Sequence, residues 1–222
     1  MRSIKTISYI ILCVSLVHLS ACQTISSWFG DEKKESAEPS ATMSCQYQAH
    51  PESFELQWTA FKTTEKIPVK GTFTNIQWLG AVQAPSFEEL LKTYSVVIDG
   101  KTVETHNPGR NATVQEYFFG EWLNQAKIEG KVLGVEGNEE KGKINIELSF
   151  NGVKKVLNFN YEKDHEGLLR AKSGFSMPDF NLQKAFNAIH EACKGLHKGP
   201  DGISKTWEEI ELELIGRVDQ KC

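Results

Sequence analysis

His190, Cys193 and His197 are spaced i, i+3 and i+7, so a helix through them brings two imidazoles and a thiol to one side. Such a set can hold zinc or copper. Two features count against that use. Gly195 is expected to end the helix before His197, and no fourth ligand is in view. Cys193 also falls on the apolar face, where cysteine behaves as a small hydrophobe. The sequence therefore predicts no metal and no other cofactor. Catalytic patterns are missing too: there is no G-x-S-x-G, no Walker A and no HExxH. The carboxylates scatter over outward faces without an acid/base pair, and the expectation is a protein that is not an enzyme. His106 and Arg110 flank Asn107-Pro108-Gly109, where a guanidinium can meet a polar head group, although such an arginine more often bonds locally or to water. Asn111-Ala112-Thr113 matches a glycosylation acceptor, a short pattern that by itself carries little force.

The chain opens with Arg2 and Lys5, an apolar tract of 13 residues from Ile7 to Leu19, and then Ser20-Ala21-Cys22. A basic start, a short apolar core and small residues at the cut are the parts of an export signal. A permanent membrane-spanning helix needs about 20 residues. Leu19-Ser20-Ala21-Cys22 resembles the lipobox of bacterial lipoproteins, whose cysteine thiol is joined to diacylglycerol before cleavage ahead of it. The resemblance implies lipidation at Cys22 and an N-terminal acyl chain such as palmitate. One acyl chain holds a protein only marginally and stable anchoring takes two or more, which lipoprotein processing supplies. By resemblance to the Gram-negative sorting rule, in which Asp after the lipidated cysteine favours inner-membrane retention, Gln23 points to the outer membrane, with the protein facing the periplasm.

Removing residues 1–21 takes away two basic charges and leaves 23 basic against 29 acidic residues, a net of −6. That balance lacks the basic footprint of a nucleic-acid-binding protein. Residues 23–44 are polar, charged and without period, too poor in apolar surface to order themselves. The expected organisation is a signal over 1–21, a lipidated cysteine and flexible tether over 22–45, and one domain over 46–222. Of five cysteines, Cys13 leaves with the signal and Cys22 carries lipid. Cys45, Cys193 and Cys222 remain where disulfides persist. Cys45 precedes the first strand and Cys222 follows the last. If those strands pair antiparallel, a Cys45–Cys222 bond forms and Cys193 stays free.

The domain must supply the elements that position these groups. Phe54, Leu56, Trp58 and Ala60 alternate with polar residues, as do Ile144, Ile146, Leu148 and Phe150, and Ile210, Leu212 and Leu214. Period two with one apolar side is a half-buried strand. In the last of these the partners are Glu209, Glu211 and Glu213, which must face water. Further strands are expected over 66–78, 94–98, 127–136, 155–161 and 168–177, with the hairpin signal Asn151-Gly152 joining two of them. Ser86 caps a short helix with Glu89 three residues on. Asn107-Pro108 starts another, and Leu182, Ala185, Phe186, Ile189 and Cys193 follow helical spacing. About eight strands with helices in a few connections favour a sandwich or a closed barrel.

Trp58-Thr59-Ala60-Phe61-Lys62, Val69–Phe73, Val97–Thr105 followed by Arg110 and Phe118-Phe119, and the hairpin Ile144–Phe159 resemble the YceI-like family over roughly residues 53–218. Asn111 stands where the family often has Asp, and the segment 178–206 is longer than the usual connection before the final strand. The resemblance implies a mainly β fold, an eight-stranded antiparallel lipocalin-like β-barrel with inserted helices, that holds a long isoprenoid chain or other lipid inside. Alternation then points Phe54, Leu56, Trp58, Val69, Phe73, Ile144, Ile146, Leu148, Phe150, Leu157, Phe159, Leu212 and Leu214 toward the ligand, with Arg110 at the mouth. The same alternation also fits a dry core. The expectation is a membrane-anchored, non-catalytic lipid carrier of the cell envelope whose partners are its lipid ligand and, through the acyl anchor, the membrane. The alternative is an envelope structural, interaction or stress protein with a filled barrel and a protein partner.

Overall fold

A computed structural model of the chain describes residues 45–222. The signal, Cys22 and the tether up to residue 44 lie outside the described residues. The first strand, β1, covers Gln46–Lys62. Its register against the last strand, β11 (Glu209–Lys221), jumps from His50–Arg217 to Glu55–Ile215. Pro51–Phe54 thus bulge out, as a residue without a backbone donor requires. Ser53 stitches the bulge: its Oγ accepts from the Arg217 N–H (2.9 Å) and donates to the His50 carbonyl (2.7 Å). Gly216 sits beneath the Phe54 ring, where a Cβ would come within 2.6 Å of it.

The remaining strands follow as β2 (Ile67–Phe73), β3 (Ile76–Leu79), β4 (Gln83–Ala84), β5 (Ser95–Asp99), β6 (Val103–Glu104), β7 (Lys127–Gly137), β8 (Lys141–Phe150), β9 (Val153–Lys163) and β10 (Leu168–Ser176). They form one curled antiparallel sheet in the order β3-β5-β7-β8-β9-β10-β11-β1-β2-β6, with β4 on β1. The mainly β expectation holds, but the strand count is eleven segments rather than eight. Two long extended runs are interrupted midway. β2 and β3 are parted only by Thr74-Asn75, and β5 and β6 only by Gly100–Thr102. These interruptions lie side by side, joined by Thr74 N–H to the Thr102 carbonyl (2.9 Å) and by Asn75 N–H to Thr102 Oγ1 (3.1 Å). The two ends of the sheet therefore meet through a kinked pair of runs, 67–79 and 95–104.

Three helices fill the connections. α1 (Phe87–Lys92) is capped by Ser86, whose Oγ accepts from the Glu89 N–H. Phe87 packs on Tyr47 and Tyr161, at centroid distances of 6.1 and 5.6 Å. With Leu90 and Leu91, also buried, it plugs the end of the sheet where β1 begins. α2 (Pro108–Tyr117) starts as expected, with Asn107 Oδ1 accepting from the Arg110 N–H (2.9 Å). α3 (Gln183–Ala192) stops short of Gly195, where the Lys194 N–H turns to the Glu191 carbonyl and the Leu196 N–H to the Cys193 carbonyl in tighter turns. None of the described helices is long and apolar enough to cross a membrane.

The hairpin residue Asn151 does more than turn the chain. Its side chain is buried, accepts from the Leu123 N–H and donates to the carbonyls of Phe180 and Asn181. It thereby aligns a stack of Trp122, Phe150 and Phe180, with ring centroids 5.1 and 4.0 Å apart. Cys45 and Cys222 are joined in a disulfide, since Gln46 lies opposite Lys221 in the β1–β11 ladder. Cys193 is free and buried. Glu209 and Glu211 face solvent, and Glu213 lies 3.6 Å from both Arg170 and Lys172.

Candidate ligand cavity

Inside the curled sheet is an apolar cavity of about 730 Å³, within the range of roughly 300–1,000 Å³ typical of small-molecule sites. Trp58, Val132, Leu212 and Leu214 point inward from their strands yet keep part of their surface uncovered, because they face this space. A close-packed interior would have covered them. The interior is hollow.

Of the fourteen side chains that the sequence places at the ligand, Phe54, Leu56, Trp58, Val69, Phe73, Ile144, Ile146, Leu148, Phe150, Phe159, Leu212, Leu214 and Arg110 line the cavity. Leu157 does not, which corrects its assignment. It shares the inward side with Ile146, its partner across the ladder. Two residues earlier on that side is Lys155, which pairs with Asp179 at 2.7 Å, so β9 is already leaving the apolar interior there. His106 is likewise absent from the wall. It adopts a positive φ of 57° and gives its N–H to the Glu104 carboxylate.

The polar side chains of the wall, Ser95 apart, gather at one end. Lys62 comes from the end of β1, Asn107, Arg110 and Thr113 from the start of α2, and His197 and Thr206 from the segment after α3. The solvent-exposed members of the wall, Asn107, Gly109 and Leu196, lie here as well, which marks this end as the mouth. Leu196 is 74% exposed at the rim. Neither Lys62 nor the Arg110 guanidinium has a protein hydrogen-bond or ion-pair partner among the described residues. Both are half-buried, so two cations wait at the mouth of an apolar space. Burial pushes the Cys193 thiol up, an effect that Lys62 and Arg110 partly oppose, and an undissociated thiol is a poor nucleophile.

Asn111 also finds its reason here. Its Oδ1 accepts from the N–H and hydroxyl of Thr105 (2.9 and 2.7 Å), while its Nδ2 donates to the Glu104 carboxylate (3.1 Å). An aspartate could not donate to Glu104. Hydrogen bonds from Asn111 and from the His106 N–H hold the Glu104 carboxyl below the usual carboxylate range. This lattice of bonds sets the angle at which α2 presents Arg110.

His190 and His197 do not join Cys193 as a metal site. Among the described residues, no group of three His, Cys, Asp or Glu side chains is placed to hold an ion. Each imidazole instead meets the hydroxyl of Thr206. Sequence reasoning missed Lys62, Trp122, His197 and Thr206 as parts of the wall. Lys62 continues the alternation of Phe54, Leu56, Trp58 and Ala60 but is charged, while the other three lie outside strands and helices, where no periodicity announces an inward direction.

A curled antiparallel sheet around a hollow, mostly apolar interior, plugged at one end and polar at the other, defines the class to which this fold belongs. The YceI-like domain model matches residues 47–214, and the chain belongs to the YceI-like family. Among solved structures, it is similar to a polyisoprenoid binding domain from Saccharophagus degradans (15% identity, TM-score 0.52, covering 80% of this chain and 99% of that one). It is also similar to Burkholderia cenocepacia BcnA (11% identity, TM-score 0.49, 75% and 96% covered). The YceI protein of Campylobacter jejuni follows at 19% identity and a TM-score of 0.47, with 69% and 85% covered. No curated protein matches the chain.

Proposed function

We propose that the protein is a non-catalytic carrier that takes one long apolar chain into the cavity and keeps the polar end of that chain at the mouth, beside Arg110 and Lys62. The hollow interior of about 730 Å³ carries this reading. Water in such a space makes few bonds to the wall, and each methylene that replaces it is worth about 0.8 kcal/mol. An isoprenoid is the favoured chain, a choice supported by family membership and by the name of the similar S. degradans domain. Transport or storage requires no catalytic group in the wall. The carrier is held at the cell envelope, in the outer membrane and facing the periplasm, by acyl chains on Cys22; the pattern Leu19-Ser20-Ala21-Cys22 supports this.

Organic extraction of the purified full chain, followed by mass spectrometry, is expected to recover one long-chain apolar compound in near-equal ratio to protein. Protein that yields none and also fails to bind added long-chain alcohols overturns the carrier reading. Incorporation of labelled palmitate is expected in the wild type and lost in Cys22→Ser; equal labelling of both removes the anchor.

A further inference from the structure

The rim of the mouth carries aliphatic side chains that the fold leaves in water. Leu196 is 74% exposed although it also lines the cavity, Ile203 is 55% exposed, and Ile67, at the start of β2, is 41% exposed. A braced frame presents them. Residues 197–205 double back as a small hairpin, in which the Gly199 N–H donates to the Ile203 carbonyl (3.2 Å) and the Lys205 N–H to the His197 carbonyl (3.1 Å). Lys198 bridges Ser204 between these bonds. Three contacts tie the hairpin to the β1–β2 turn. The Thr63 N–H donates to the Lys205 carbonyl (2.9 Å), Thr64 Oγ1 to the Asp201 carboxylate (2.6 Å) and Trp207 Nε1 to the Thr63 carbonyl (2.8 Å). That turn leads into Ile67, which lies opposite Lys62. The exposed aliphatics therefore surround one opening.

The same rim is basic. Lys194, Lys198 and Lys205, all exposed, come from the chain after α3, Lys62 and Lys66 from the turn, and Arg110 from α2. Glu65 and Asp201 oppose these six within the same segments, and Glu191, Glu208 and Glu209 flank them. Glu191 and Glu209 pair with Lys194 and Lys66 at 3.4 and 3.5 Å, in exposed contacts that hold a lysine only weakly. The rim stays positive with all five counted, on a chain that is −6 without residues 1–21. Uncovered apolar side chains ringed by lysines suit the boundary of an anionic bilayer, where each basic residue strengthens binding about fivefold. They suit a protein partner poorly, because lysine is depleted from protein interfaces and three side chains fall far short of the area such a contact needs.

We propose that the mouth docks on a bilayer containing anionic phospholipid, with Leu196, Ile203 and Ile67 entering the headgroup boundary and the surrounding lysines meeting lipid phosphates, so that cargo passes between bilayer and cavity without crossing water. The docking surface stands on the rim alone, and the passage of cargo rests on the carrier reading above. Each methylene pulled from the cavity into water weakens holding about fourfold, so release of a long chain into solution is strongly disfavoured. Leu196 belongs to both the wall and the rim, which carries the apolar lining out to the surface where a bilayer would meet it.

The test floats the full chain carrying Cys22→Ser, which removes any acyl anchor, with vesicles of phosphatidylcholine alone or with about one third phosphatidylglycerol. Residues 1–44 are common to every variant, so differences between variants read the mouth. The parent is expected to bind the anionic vesicles more tightly than the neutral ones. K194Q/K198Q/K205Q is expected to weaken binding to the anionic vesicles about 10- to 100-fold, and L196S/I203S about tenfold or more. K131Q/K141Q/K143Q takes the same charge from exposed positions of β7 and β8 and should stay within about twofold of the parent. Equal losses in the two lysine triples, or an unchanged L196S/I203S, overturn the docking surface. Amide exchange reads the rim directly: protection gained over residues 194–206 with anionic vesicles supports docking, and unchanged protection in vesicle-bound protein overturns it. Protection that grows with protein concentration in the absence of vesicles assigns the rim to a second copy and overturns it as well. A protein that gains protection on vesicles yet neither carries nor binds a long-chain compound refutes the carrier and keeps the docking surface. One that binds such compounds without that gain does the reverse.

Discussion

Leu214→Trp is the most direct perturbation of the cavity. Leu214 sits in the middle of β11, opposite Leu56 on one side and Ala171 on the other, and all three line the interior. The indolylmethyl side chain of Trp has about six more heavy atoms than an isobutyl group and would extend into the cavity. Those atoms displace about six methylenes of a threaded chain, each worth about 0.8 kcal/mol, or about fourfold in affinity. The full loss is then about 5 kcal/mol for a chain that fills the cavity, and less for a short one that can lie elsewhere. Titration calorimetry with n-alkyl alcohols of increasing length separates these cases. The wild type is expected to gain about fourfold per methylene up to a plateau, and Leu214→Trp to reach its plateau about six methylenes sooner. Glu211→Trp, on the solvent side of the same strand, should leave the series unchanged. A folded Leu214→Trp protein with the wild-type plateau would show that the chain does not run through this space.

Other outcomes follow from the same contacts. The Cys45–Cys222 bond closes a loop with a sequence separation of 177, so Cys222→Ser should lose about 5 kcal/mol of chain-entropy stabilisation and lower the melting temperature by about 10–20 °C; a fall of under 3 °C would place the strand ends together without the bond. Arg110→Met is expected to weaken alkyl phosphates about 10- to 100-fold, the worth of a charge-assisted hydrogen bond, while alkyl alcohols of equal length change little; equal losses for both would remove the guanidinium from the mouth. Asn151→Ala abandons three buried hydrogen bonds and should cost about 3 kcal/mol in urea unfolding, a loss under 1 kcal/mol showing that water takes over those bonds.

Strands with a strict alternation were readable from sequence because one face of each packs inward regardless of what it meets there. The tight turn at Asn151-Gly152 and the caps at Ser86 and Asn107 were readable because their chemistry is local. The front half of β1 was not: Pro51 interrupts the alternation, and the bulge that absorbs it depends on Ser53 reaching Arg217, 164 residues away. The strand count missed for a related reason, since breaks at Thr74-Asn75 and Gly100–Thr102 exist only where the two runs lie beside each other. Alternation found twelve of the cavity residues but could not choose between a wall and a packed core, because both need the same apolar side. It also pointed Leu157 inward, where that side chain packs against the core but lies outside the cavity wall. The mouth was legible only at Arg110, and the histidine spacing that suggested a metal turned out to converge on a threonine from another stretch of chain.

The placement of the disulfide has a mechanical consequence. Cys45 and Cys222 are linked at the end that α1 stoppers, while Lys62, at the far end of the same strand, borders the opening. The first described residue thus sits at the sealed foot of the vessel, in a staple that also secures the last strand. A pull applied at Cys45 would be borne by a covalent link and two full-length strands, and the lip at the far end would stay free of load.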